Sequence, residues 1–239
     1  YGKTEPFVLD PSAGLVDSVD IDVQGSTVTM TVVIKSGIPF HFDEGIATAD
    51  DVKYGFVEIS KEGSANPSSG SYRKVINSDE NNIEVVNDTT LRFNLQRDWV
   101  GPGLELNLGR HGGDYHGVIP MAYHQRVGED GFTKRPISTG PWQFVDHRLD
   151  ERVTLEAVPD HWRKAPEFAT LRIFKVPESA TRLAMLLAGQ AHISDMTPLQ
   201  AEQTQGNRDI KLLSYYAGQH TWLNLGGIIN PDKDVYDSS

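Results

Sequence analysis

The sequence predicts a mixed α/β fold, and three observations predict it. Apolar residues alternate with polar ones in paired runs separated by turn residues, the signature of β-hairpins. Between those runs lie segments whose apolar residues recur at helical spacing behind N-capping residues. Finally, 239 residues with 38% apolar and 9% aromatic content can bury a sizeable core, which excludes wholesale disorder.

The first hairpin has Val19, Ile21 and Val23 alternating up to a turn at residues 24–26, then Val28, Met30, Val32 and Ile34 alternating back. Thr48, with Asp51 three residues on, has the capping-box arrangement, and Val52, Phe56 and Ile59 continue it as a helical stripe. Residues 61–71 are rich in Gly, Ser, Asn and Pro and read as an exposed loop. Ile83 to Leu95 forms a second hairpin around Asn87 and Asp88. Residues 99–117 hold six glycines without a period, and residues 119–126 read as a short helix. A third hairpin has Trp142 and Phe144 alternating, a charged turn at 146–152, then Val153, Leu155 and Ala157. Leu171, Ile173 and Val176 make a strand. Residues 179–188 make a helix ended by Gly189. A short strand is expected at Ile193, a helix start at Thr197-Pro198-Leu199-Gln200, and a strand at Ile210, Leu212 and Tyr215. The tail, 230–239, is polar and expected to fray.

Bulk properties exclude several classes. Lys plus Arg is 22 against 33 for Asp plus Glu, a net charge of −11, which argues against nucleic acid or an anionic membrane as partner. With no cysteine there is no disulfide, thiolate metal site or cysteine nucleophile. No apolar run is long enough to span a bilayer as a helix. Residues 1–10 lack the apolar centre of a signal peptide and begin with Tyr1, so the chain is expected to be a processed or cut piece of a longer protein.

Catalytic motifs are missing from the sequence: G-x-S-x-G, Walker A and H-E-x-x-H are all absent. Asp50 and Asp51 fit a helix's first turn, where acids complement the dipole, better than an acid–base pair. His111, Asp114 and His116 offer imidazole and carboxylate donors to a metal, but their spacing matches no dedicated site. The chain is therefore expected to be no enzyme, and to need no cofactor.

Several motifs, in order, resemble one family. T-G-P-W at 139–142 leads a hairpin, V-P-D-H-W at 158–162 follows, then a strand, then A-T-R-L at 180–183 opens a helix. Upstream, G-I-P-F-H-F-D-E-G and T-A-D-D-V are similar to a strand and helix start in the same family, with one residue inserted in the usual D-G pair. T-W-L-N-L at 221–225 resembles the family's strand into its hinge. The chain thus resembles the extracellular solute-binding proteins, family 5, of oligopeptide, dipeptide and nickel ABC transporters. That resemblance implies a type II periplasmic-binding-protein-like fold. Residues 1–239 would be most of lobe I of a two-lobed receptor, the second lobe absent, with a sub-domain at about 48–136.

The resemblance also implies a function. The protein would capture peptides or a related small solute in a cleft between lobes and deliver it to ABC permease subunits. A nickel-type metal-chelate receptor, a sugar receptor and a secreted hydrolase are the alternatives. A monomer acting in the periplasm or outside the cell is expected, with a lipid anchor allowed in the full-length protein. Three groups would face the cleft: Arg110, His111 and Tyr115 in the glycine-rich loop; Asp195 and Met196; and Trp222 and Asn224. Arginine suits a ligand carboxylate, and tyrosine offers an apolar face with a polar tip. Thr139, Gly140 and Arg182, the last with Glu178 one turn away, read as architecture.

Overall fold

Alternation in Val16–Gln24 and Thr27–Ile34 produces the first hairpin, strands β1 and β2, paired antiparallel from Gln24 opposite Thr27. The structure is a computed structural model and describes residues 14–66, 69–76, 78–96 and 118–213. Strands β3 (Ile83–Asn87) and β4 (Thr90–Gln96) extend the hairpin into a four-stranded antiparallel sheet of order β1-β2-β4-β3. Register places Met30 opposite Phe93 and Val32 opposite Leu91, so the alternating apolar residues form one buried face.

Helices α1 (Ala49–Ser60) and α2 (Ser69–Val75) cover that face. Phe56 of α1 packs edge-on against Tyr72 and Phe93, with ring centroids 5.3 and 5.5 Å away. Fully burying each such side chain contributes about 1.5–3 kcal/mol. The stretch containing α2 was expected to stay a loop through Ser71. Tyr72 and Ile76, four residues apart, are both buried in the core, so burial overrides the poor helix propensity of the Gly/Ser-rich lead.

Asp51 sets where α1 begins. One carboxylate oxygen accepts from the Thr48 backbone N–H at 2.9 Å and from its hydroxyl at 2.8 Å, closing the capping box. The other accepts from the Met121 N–H at 2.8 Å, at the start of helix α3 (Met121–Lys134). This helix runs eight residues past the expected end at 126, across a break at Gly128, whose φ is +70°. Tyr123, Val127 and Phe132 carry its apolar stripe through the break onto Ile38, Phe40 and Ile137, a second core cluster.

The loop between the first sheet and α1 is strained. Phe42 and Asp43 both have φ near +60°, in a short 3-10 turn (His41–Asp43). Two arginines of the α3 region hold it. Arg126 donates to both carboxylate oxygens of Glu44 at 2.7 Å, and the Arg135 guanidinium lies 4.0 Å from the Phe42 ring centre. Glu44, the residue that separates Asp43 from Gly45, thus has a partner of its own.

Strands β5 (Trp142–Arg148), β6 (Arg152–Ala157) and β7 (Thr170–Phe174) form a second antiparallel sheet, with an irregularity between Phe144 and Asp146. Strand β5 runs further than expected, which confines the turn to residues 149–151. Beside the turn, the Thr154 hydroxyl holds the Asp146 carboxyl below the usual carboxylate range, helped by Arg152 and Arg148.

The chain divides into two units, Tyr1–Lys175, which holds both sheets, and Val176–Ser239. In the second unit, α4 (Ser179–Leu187) ends where Gly189 takes φ +69° and the Gln190 N–H reaches back to Met185 O at 2.8 Å. Helix α5 (Pro198–Thr204) starts with Thr197 as N-cap, proline at its first position and Gln200 completing a capping box. Two expectations fail here. Ile193 and residues 210–213 form no strand, because a strand needs a ladder partner and none pairs with them among the described residues. Ile193 is 89% exposed. Tyr215 lies outside the described residues.

Candidate functional site

Asp195 and Met196 sit between α4 and α5, and the residues around them define their placement. Arg182, in the first turn of α4, donates through Nη1 to the Val176 and Pro177 carbonyls at 2.8 and 2.7 Å. Its other edge faces Asp195, with Nη2 donating to Oδ2 at 3.2 Å and Nε 2.9 Å from Oδ1. The partner anticipated for Arg182 was Glu178; the ion pair is made with Asp195 instead, because the chain leaving α4 returns past the helix start. Met196 sulfur lies 3.9 Å from the hydroxyl of Thr204, the last residue of α5. The Asp195 side chain is 80% exposed, so it is tethered on one side and open on the other. A tethered, exposed carboxylate can take a cationic or N–H donor group from a ligand.

The other proposed ligand residues, Arg110, His111, Tyr115, Trp222 and Asn224, lie outside the described residues, as do Asp114 and His116. Among the described residues, no group of three or more His, Asp or Glu side chains is placed to hold a metal ion, and no helix is long and apolar enough to cross a membrane.

Sequence reasoning missed two features of the first unit. One is an open groove of about 1040 Å³ bordered by Asp17, Lys35, Thr89, Trp162, Arg163 and Lys164. Lys35 Nζ is occupied by the Gly14 and Val16 carbonyls at 2.6 and 3.1 Å, and Lys164 pairs with Glu167 at 3.1 Å. The second is a pair of buried histidines, His41 and His161, on either side of residues 138–140. No spacing in the sequence could signal a pair 120 positions apart.

With fold and candidate residues in place, comparison with known proteins is decisive. The family described as bacterial extracellular solute-binding proteins, family 5 Middle, matches residues 10–234. The chain belongs to this family. Among family relatives, the glutathione-binding protein GsiB of Pectobacterium atrosepticum is 25% identical over 213 residues, covering 88% of this chain and 39% of that protein. Heme-binding protein A of Haemophilus influenzae is 27% identical over 195 residues, covering 75% of this chain and 34% of the relative. Among solved structures, the oligopeptide-binding protein AppA of Bacillus subtilis in complex with a nonapeptide superposes with a TM-score of 0.67. It is 21% identical and covers 83% of this chain and 38% of AppA. The likeness establishes the periplasmic-binding-protein type of fold. This family 5 chain spans less than two fifths of the length of these three proteins, and all three are named as binding proteins rather than enzymes.

Proposed function

We propose that this chain is most of one lobe of the substrate-binding component of an ABC importer. The observation that carries the reading is the family match across residues 10–234. The ligand is a peptide or a related small solute, a class consistent with relatives named for glutathione and heme. In this reading the protein works outside the cytoplasmic membrane, binds without turnover, and residues from about 48 to 136 act as a sub-domain of the lobe.

The mechanism follows from a two-lobed geometry. A ligand enters between the lobes, closure about a hinge buries it, and the closed form docks on permease subunits. Closure couples to occupancy because the ligand has contacts on both walls only in the closed state. Asp195 and Met196, with Arg110, His111, Tyr115, Trp222 and Asn224, are the residues assigned to this lobe's wall. Arg182 is a positioning residue that orients the Asp195 carboxylate.

One wall alone offers a fraction of the contacts, so the isolated chain binds weakly or not at all. Calorimetric titration of the chain, and of the longer protein carrying both lobes, with peptide pools and glutathione tests this. Binding by the longer protein only is the expected result. Tight binding by the isolated chain, or turnover of ester or peptide substrates by either, overturns it.

A further inference from the structure

The two histidines set aside above grip one short segment from opposite sides. His41 Nε2 lies 2.7 Å from Gly140 O, and His161 Nε2 lies 3.0 Å from Thr139 O. A carbonyl oxygen only accepts, so each Nε2 must carry the hydrogen. Each Nδ1 in turn faces backbone donors, Ser138 N at 3.4 Å for His41, and Arg163 N and Lys164 N at 3.3 Å each for His161. A ring that donates at Nε2 and accepts at Nδ1 is a neutral imidazole. Both rings are buried, His41 7% and His161 9% exposed.

Residues 138–140 lead from Ile137, in the core cluster beneath α3, into β5. The segment is thus the splice between the first unit's two sheets. We propose that His41 and His161 form a two-histidine latch on this splice, closed while both rings are neutral and opened when either takes up a proton. Protonation at Nδ1 would point a hydrogen at a backbone N–H and remove the acceptor that now satisfies it. It would also place a positive charge beside the other ring in a buried site.

The surroundings of His41 favour its neutral state. Burial lowers the His41 pKa from its ordinary value of 6.5, the Gly140 carbonyl opposes that shift, and His161 adds to it. Ionisable groups on the adjoining segments include Asp43 and Glu44 in the His41 loop, Asp160, Arg163 and Lys164 beside His161, Lys134 and Arg135 at the end of α3, the last resting on the Phe42 ring, and Asp146, His147 and Arg148 on β5. Residues 138–140 themselves carry none. A pKa lowered by folding means that His41's contribution is complete above 6.5 and is lost as pH falls below it toward the folded-state value. Two further bonds hold the splice at any pH, His41 N to Ser138 O at 3.0 Å and Trp162 Nε1 to Thr139 O at 2.8 Å. Opening therefore loosens the splice without unfolding the unit.

The test is an NMR titration of the chain with labelled histidines, from pH 8 to 5, on wild type, His41→Gln and His161→Gln. Glutamine keeps an N–H donor near the Nε2 position and does not ionise. Two of the eight histidines should show the Nε2–H tautomer at pH 7.5, and His41 should titrate below its ordinary value of 6.5. The amide signals of residues 138–140 should move with the same midpoint, and that movement should shrink in either variant. Either ring already charged at pH 7, or amides that do not follow the rings, overturns the latch. Should one variant fail to fold, the other variant and the wild-type ring signals decide the question.

Discussion

Arg182 and Asp195 face one another across the turn that follows α4, with Nε 2.9 Å from Oδ1 and Nη2 3.2 Å from Oδ2. Arg182 belongs to the A-T-R-L motif that carries the sequence resemblance, whereas Asp195 is a candidate ligand residue. The motif residue is architecture, and it aims the candidate one. Its other Nη spans two backbone carbonyls, so a single side chain fixes both the lead into α4 and the position of the carboxylate beyond it.

The two partners should respond differently to removal. Arg182→Ala strips a charged donor from the Val176 and Pro177 carbonyls and should cost about 1–3 kcal/mol. Asp195→Asn loses only an exposed ion pair and should cost under about 1 kcal/mol. Urea unfolding of both variants measures the difference. Equal costs would show that the ion pair, not the carbonyl clamp, is what matters.

Asp51 is the second sensitive point, because one buried carboxylate serves three donors on two helices. Asp51→Ala should destabilise the first unit by about 2–4 kcal/mol, the loss of a helix cap plus an unsatisfied N–H at Met121. Asp50→Ala, at an exposed position of the same turn, should change stability by less than about 0.5 kcal/mol. Thermal melts of the pair check this, and comparable losses would refute the assignment of Asp51 as the joint between α1 and α3.

Phe93 is fully buried at the meeting of β4 and α1, while Ile173 on the second sheet is 54% exposed. Phe93→Ala should cost about 3–5 kcal/mol, through lost burial and a residual cavity. Ile173→Ala should cost under about 1 kcal/mol by the same reasoning, since most of its surface is already in water. Denaturant midpoints of the two variants separate them.

In the strained loop, Gly45 has φ +100° and Glu44 is held by Arg126. Gly45→Ala should cost about 1–3 kcal/mol, because a Cβ resists that backbone conformation although space for it exists. Glu44→Ala gives up a pair whose arginine is largely exposed and should cost under about 1 kcal/mol. A Glu44 cost as large as Gly45's would mean that the arginine, rather than the glycine, maintains the loop.

The three hairpins and the helices at 49–60 and 179–187 were legible because their signals are local: alternation, capping residues, and glycines at turns and helix ends. What escaped the sequence depends on distant partners. Helix α2 forms because Tyr72 and Ile76 join Phe56 in one core cluster, α3 continues because its second half finds the same core cluster as its first, and Ile193 and Ile210 have no strand partner among the described residues. The candidate site divides along the same line between local and distant signals. Asp195 followed from its place after a family motif, but its tie to Arg182 joins positions thirteen apart through a turn, and the His41–His161 pair joins positions 120 apart. Neither follows from spacing.

The central claim is that this chain is one wall of a ligand-closing receptor. Native mass spectrometry of the full-length gene product, purified without added ligand, tests it most directly. A peptide or similar small solute should travel with the folded protein and be released on unfolding, while the isolated chain of 239 residues carries none. A full-length protein that arrives empty and stays empty when offered peptide pools would contradict the account.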